Sequence, residues 1–266
     1  MAVITLTSDM GLTDHYVATV KASLLSKLPE VTIVDISHEI RHFDIQHAAF
    51  VLSSSWQHFP LGTIHIIGVQ SELSIDSPHV IVHYMGHYFI GADNGIFSLL
   101  FPDTPEDVYE IVYQQADDWY FPMRGVFATS AAHLAKGGAP ELLGKRTNQI
   151  RKIRVLEPTA DEFAIKGWVV HFDHFGNIHT NISKKLFDFH AGSKTFVITT
   201  RVRSMQISRI HQDYAEVTQG SLVALWGSHG YLIIAINHGS DDRGGSARSL
   251  LGARLHDAVK IEFYGS

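Results

Sequence analysis

The acidic segment Thr7-Ser8-Asp9-Met10-Gly11-Leu12-Thr13-Asp14-His15-Tyr16-Val17 stands between an apolar strand and an amphipathic helix. Asp9 falls just past the carboxyl end of the strand at residues 3–6, the edge at which open α/β sheets bind ligands. Two carboxylates, Asp9 and Asp14, suit hydroxyl or ammonium donors of a small polar ligand. The same residues also make ordinary turn chemistry. Gly11 supplies a backbone conformation closed to other residues, and Thr13 or Asp14 can cap the next helix. Taken alone, the segment leaves both readings open.

The elements that must position it alternate in type. A helix over residues 13–28 places Tyr16, Val17, Val20, Leu24 and Leu28 on one stripe, and residues 31–34 read as the next strand. This is a βαβ unit, so the sheet begins parallel. A second helix spans residues 44–58, and Pro60-Leu61-Gly62 ends it before a strand at 64–69. Strands at 79–83, 88–90 and 108–112 and a helix at 127–136 complete an α/β half with a mostly parallel, three-layer arrangement.

Past Leu143 the texture changes. Short strands at 167–172, 195–199, 221–226, 231–237 and 258–263 are separated by Gly, Asn and Asp, with no helix of comparable length among them. The expected architecture is an α/β ligand-binding domain at 1–150, a linker at 151–161 and a smaller antiparallel β-barrel domain at 162–266.

Composition narrows the partners. The balance of 21 basic against 27 acidic residues leaves a net charge of −6, so nothing recruits nucleic acid or an anionic membrane surface. No apolar run has the length of a membrane span and no signal-peptide pattern opens the chain, which predicts a cytoplasmic protein. Cysteine is absent, which removes disulfides, thiolate catalysis and zinc–thiolate sites. Among the 18 histidines, His171, His174 and His179 lie close in sequence, but strand alternation sets His171 and His174 on opposite faces, against a shared metal ion.

Several further segments, in order, carry a resemblance. They are Ile33-Val34-Asp35-Ile36-Ser37-His38-Glu39-Ile40 with Phe43-Asp44, then Phe59-Pro60-Leu61-Gly62-Thr63-Ile64-His65, Asp93-Asn94-Gly95 and Ala131-Ala132-His133-Leu134-Ala135. In the second half come Asp173-His174-Phe175-Gly176-Asn177-Ile178 and Gly227-Ser228-His229-Gly230-Tyr231-Leu232. With the opening loop, this set resembles the S-adenosyl-L-methionine hydroxide adenosyltransferase family, relatives of the fluorinase and chlorinase.

The resemblance implies attack at C5′ of S-adenosylmethionine with loss of neutral methionine. It also implies a homotrimer whose ligand lies where one subunit's large domain meets a neighbour's small one. No cofactor is implied, S-adenosylmethionine being substrate or ligand. By position, Asp9 would hold the ribose hydroxyls and Asp14 the methionine ammonium group. Phe43 would lie beside the ribose, and Asp93 and Asn94 would form the adenosine-side loop. Phe175 and Asn177 would stack on and hydrogen-bond the adenine, and Ser228 would reach the methionine carboxylate. These types fit the chemistry: carboxylates for diol and ammonium, an aromatic face for a purine, an amide for its edge. Each residue also has a structural reading. Phe175-Gly176-Asn177 and Asp93-Asn94-Gly95 are turn signals, and Phe43 would serve as a core aromatic.

The chain departs from the family at its acid–base machinery. The family's hydrolases use an aspartate in a Val-Asp-Pro-Gly-Val-Gly loop, an arginine seven residues on and a histidine before the late helix. Here Gln70, Ser77 and Pro122 stand in those places. Candidate replacements are Glu72, with Arg124 as its charge partner, and His229. Met123 stands where the halogenases carry a small residue and would crowd a halide pocket. Hydrolysis to adenosine and methionine is therefore the expected reaction, and a non-catalytic nucleoside-binding or sensing protein is the alternative.

Overall fold

A computed structural model describes residues 2–112, 120–147, 149–202 and 204–265. The chain separates into two compact units, Met1–Ile153 and Arg154–Ser266.

In the first unit the order is β1 (Val3–Ser8), α1 (Tyr16–Lys27), β2 (Thr32–Ser37), α2 (Ile45–Ser53), β3 (Ile64–Gly68), β4 (His79–Tyr84), β5 (His87–Ala92), α3 (Ile96–Leu100), β6 (Asp107–Ile111), α4 (Ala128–Ala135) and β7 (Gly144–Thr147). The strands form one sheet in the order β2-β1-β3-β5-β4-β6-β7. Alternation along the strands builds a core on each face. Ile4, Leu6, Ile66 and Ile90 pack with Val20 and Leu24 of α1 and Ala128 and Ala131 of α4. Ile67, Val80, Val82 and Phe89 pack with Ala48 and Leu52 of α2 and Phe97 of α3.

The sheet is mixed, which corrects the expectation of a mostly parallel one. β2, β1, β3 and β5 run parallel, but β4, β6 and β7 pair antiparallel. The reason lies in the connection between β4 and β5: Met85 (φ 48°) and Gly86 (φ 77°) form a two-residue turn, too short for a parallel crossover. The expected helix at 44–58 also stops early. Asp44 caps α2 by accepting from His47 N at 2.8 Å. The hydroxyls of Ser54 and Ser55 then bond back to the Phe50, Val51 and Leu52 carbonyls, and only a 3₁₀ turn, Trp56–His58, follows. The helix α3 and the strand β7 were not expected from the pattern; both are too short to show a period.

The second unit contains β8 (Thr159–Ala160), β9 (Ala164–Phe172), β10 (Ile178–Ser183), α5 (Lys184–Ala191), β11 (Thr195–Thr199), β12 (Leu222–Trp226), β13 (Tyr231–Ile236), α6 (Ala247–Leu250) and β14 (Ala258–Tyr264). The main path is β11-β14-β9-β10-β13-β12, antiparallel throughout, with β8 added to β9. It curls around one core that includes Ile165, Val169, Ile178, Ile234 and Ile261. Its end strands are bridged through the segment between them, Ile207 to Ile198 and His211 to Leu225. A curled antiparallel sheet thus stands where a full barrel was expected. The eight-residue helix α5 corrects the expectation that no helix of comparable length stands among these strands. Ser183 caps it by accepting from Leu186 N at 3.1 Å, and its Phe187 packs against Phe196 and Trp226.

Candidate functional site

In the first unit, Asp9 lies on the loop leaving β1, beside the parallel neighbours β2 and β3. Its Oδ2 accepts from the backbone N–H of Phe43 at 2.8 Å. Phe43 takes a left-handed conformation, φ 61°, that a bulky side chain rarely adopts, and its ring is 65 % exposed. Backbone strain of this kind persists only where surrounding contacts enforce it, and such residues cluster at functional sites. The loop is held from below. Gly11 N–H donates to His38 O at 2.8 Å, and Ser8 Oγ meets His38 Nδ1 at 2.6 Å. His38 Nε2 stands 3.1 Å from Asp35 Oδ1, off the line of a good hydrogen bond, and Lys21 Nζ reaches Asp35 Oδ2 at 2.5 Å. Burial opposes ionisation of Asp35, but the hydrogen bond from Lys21 and the close approach of His38 outweigh it and hold its pKa below the ordinary value. Ser8 is fully buried, so this Ser–His–Asp alignment supports the loop and offers no accessible nucleophile. Asp14 is exposed, and Tyr16 at the head of α1 sets its ring edge-on to Phe121 at 5.9 Å.

The loop after β3 carries Gln70 in a left-handed conformation, φ 46°. Asn94 clamps it: Nδ2 donates to the carbonyls of Val69 at 3.1 Å and Gln70 at 3.0 Å, while Oδ1 accepts from Ile96 N at the start of α3. Asp93 is also committed to the protein backbone. Both its oxygens accept from Arg151 N, at 3.0 and 2.8 Å. Burial raises its pKa, partly offset by Arg151. Glu72 is exposed, and Ser77 is buried with its hydroxyl unpartnered. His79 Nε2 contacts Ser71 O at 2.8 Å; burial lowers its pKa, the nearby Glu72 opposing.

Pro122 is buried and opens the π-helical turn Met123–Phe127, whose Phe127 N–H reaches back five residues to Pro122 O at 2.9 Å. Proline suits the start of a helix, where its missing N–H costs nothing. Met123 is buried against Gly68, where an added Cβ would meet its sulfur at 2.4 Å. Arg124 is exposed and lies over the Phe121 ring at 5.3 Å.

In the second unit, the turn between β9 and β10 is organised by Asp173. Its Oδ1 accepts from Phe175 N at 3.0 Å and Asn177 N at 2.9 Å, and its Oδ2 from Asn177 Nδ2 at 2.8 Å. Phe175 is thereby presented outward, 59 % exposed, while Asn177 is buried. Gly176 is required here: φ is 75°, and a Cβ would meet Ser246 and Asp241 at 2.6 Å. The turn between β12 and β13 carries Ser228, exposed, and His229, whose Nε2 lies 3.0 Å from His179 Nδ1. His229 Nδ1 accepts from Tyr231 N at 3.1 Å. Burial and the neighbouring His179 push the His229 pKa down to about 4, so the ring is neutral at neutral pH. Burial of Asp173 opposes its ionisation, but hydrogen bonds from His179 and Asn177 prevail and lower its pKa.

The structure therefore assembles Asp9 with Phe43 in one unit, and in the other it links the turn of Phe175 and Asn177 to the turn of Ser228 and His229 through His179. Sequence reasoning missed His38, Asp35 and Lys21 beneath the Asp9 loop, and Asp173 and His179 beneath the Phe175 turn. An aspartate and a histidine flanking one strand turn were the available signal for the last pair. Among the described residues no group of three or more His, Cys, Asp or Glu is placed to hold a metal ion, and no helix is long and apolar enough to cross a membrane.

Fold and site together define an α/β protein with polar loops at the carboxyl ends of parallel strands, continued by an antiparallel β unit. Residues 4–144 match the SAM hydroxide adenosyltransferase N-terminal domain and residues 167–260 the corresponding C-terminal domain. The chain belongs to the S-adenosyl-L-methionine hydroxide adenosyltransferase family. It is 31 % identical to the (R)-S-adenosyl-L-methionine hydrolase of Thermus thermophilus, over 96 % of this chain and 97 % of that one. It is 28 % identical to the fluorinase of Nocardia brasiliensis, over 90 % of this chain and 91 % of that one. The crystal structure of an uncharacterized conserved protein from Thermotoga maritima superposes with a TM-score of 0.84 at 26 % identity, covering 98 % of this chain and 99 % of that one.

Proposed function

We propose that this protein is an S-adenosyl-L-methionine hydrolase that forms adenosine and methionine. The observation that carries the reading is the end-to-end match to a relative named for that activity, with the Asp9 loop kept at the carboxyl end of β1. In the reaction, a water oxygen forms a bond to C5′ of the ribose as the C5′–sulfur bond breaks. The sulfonium takes the electron pair and leaves as the neutral thioether of methionine, and one water proton passes to a base or to solvent.

In this reading Asp9 and Phe43 hold the ribose, Asp14 the ammonium group, Phe175 and Asn177 the adenine, and Ser228 the methionine carboxylate. Asp93 and Asn94 act by shaping the adenosine-side loop. The base is Glu72, the titratable side chain two residues from Gln70 on the exposed loop. His229 is a poorer candidate, because its lone pair is taken by Tyr231 N–H. A positioned base contributes about 10²- to 10⁴-fold, so a site without the family's usual three groups is expected to turn over slowly. The two halves are proposed to act as an α/β ligand-binding domain and a smaller β domain within a cytoplasmic homotrimer, as the family resemblance implies.

The test is mass spectrometry of the products formed from S-adenosylmethionine in ¹⁸O-water. Adenosine carrying one ¹⁸O at the 5′ hydroxyl, with equimolar methionine, is the expected outcome. An intact substrate alongside tight adenosine binding would instead favour a non-catalytic nucleoside sensor.

A further inference from the structure

The polar contacts beneath the Phe175 and Ser228 turns form a single directed chain. Tyr231 N–H donates to His229 Nδ1, which places the proton of the neutral His229 ring on Nε2. That N–H points at His179 Nδ1 at 3.0 Å, so His179 Nδ1 is the acceptor and its proton sits on Nε2. His179 Nε2 in turn faces Asp173 Oδ2 at 3.4 Å, and Asp173 holds the backbone of Phe175 and both nitrogens of Asn177. Every link has one donor and one acceptor, and the chain spans from β13 through β10 to the β9–β10 turn.

The same order argues against a metal ion between the two rings. A metal at His229 Nε2 would require the proton on Nδ1, where the backbone N–H of Tyr231 already donates. His179 is buried, and the acceptor nitrogen of the half-buried His229 is already engaged by Tyr231 N–H. What remains for them is mechanical: His179 joins both turns at once through one side chain.

We propose that His179 is a positioning residue that locks the Asp173–Asn177 turn to the Gly227–Tyr231 turn, so that the adenine-side and methionine-side groups are presented in one fixed spacing. This rests on the reading of those turns as ligand-binding. The β10–β13 ladder fixes the strands beneath the two turns, and His179 adds the side-chain link between the turns themselves. Because the lock acts on both ends of the bound molecule and on no reacting atom, its loss raises KM and leaves kcat nearly unchanged.

The test has a ligand-free and a ligand-dependent arm. In the free protein, His179→Ala is expected to speed amide hydrogen exchange at both Asn177 and Tyr231. Exchange that changes at only one turn, or at neither, would overturn the lock. His179→Asn keeps an acceptor near the Nδ1 position for His229, and His179→Gln keeps a donor near the Nε2 position for Asp173. Each is expected to protect its own turn alone, which keeps the test informative if the alanine variant fails to fold. With S-adenosylmethionine, His179→Ala should raise KM on the order of tenfold, with kcat within about twofold. An unchanged KM beside accelerated exchange at both turns would leave the lock standing and overturn its role in binding. Wild-type protein that neither binds adenosine nor consumes S-adenosylmethionine would overturn the ligand reading of the turns, whatever the exchange data show.

Discussion

The carboxylate of Asp9 holds the backbone of Phe43 in a left-handed conformation: Oδ2 accepts from Phe43 N–H at 2.8 Å, where φ is 61°. One side chain thus sets the position of an exposed aromatic ring more than thirty residues away, and leaves its second oxygen for a hydroxyl donor. Replacing Asp9 by alanine is expected to weaken adenosine binding by about 1.5–3 kcal/mol, the range for a charge-assisted hydrogen bond. Titration calorimetry of the variant with adenosine checks this, and unaltered affinity would remove Asp9 from the site.

Phe43 should trade stability against binding. Glycine adopts its backbone conformation without strain, so Phe43→Gly is expected to raise folding stability by roughly 1 kcal/mol, since little packing is lost from an exposed ring. Adenosine affinity should fall in the same variant. Urea denaturation and calorimetry on one preparation would show whether the two changes run in opposite directions.

Catalysis should respond to the loop after β3. Glu72→Gln is expected to reduce turnover about 10²-fold or more, and Gln70→Asp to increase it, since aspartate tolerates the left-handed conformation at this position. Steady-state rates with S-adenosylmethionine decide both. Activity indifferent to Glu72 would place the base elsewhere.

Acid should destabilise the protein through its buried histidines. His65 is pushed down to about 3 and His47 to about 4, both chiefly by burial, and His229 behaves likewise. Their folded pKa values lie below the unfolded value near 6.5, so between those limits the unfolded chain binds more protons. The stabilisation is complete above about pH 6.5 and is lost as pH falls from there toward about 4. Melting temperatures across that window should drop steadily. A flat profile would show that these rings do not stay neutral in the folded protein.

Met123 is the remaining test of packing. It is buried against Gly68, and Met123→Ala is expected to cost about 2–4 kcal/mol through the cavity it leaves. Chemical denaturation measures it directly.

Much of the fold was legible in the sequence because local periodicity and burial agree there. Val17, Val20 and Leu24 recur at helical spacing and all three are buried, and strands such as Thr195–Thr199 begin and end where their turn residues indicate. The order of Asp9, Phe43, Phe175 and Asn177 along the chain was equally plain, since a motif resides in residue types and spacing. Tertiary structure alone decided the rest. The strand direction of β4 depended on a turn at Met85-Gly86, and the short elements α3 and β7 are held by neighbours, not by a period of their own. The contacts under the site follow the same rule: Ser8 with His38 and His179 with His229 are 30 and 50 residues apart. Nothing in the spacing of such residues marks them as partners. Sheet register brings them together, and hydrogen-bond direction then settles which atom of each donates.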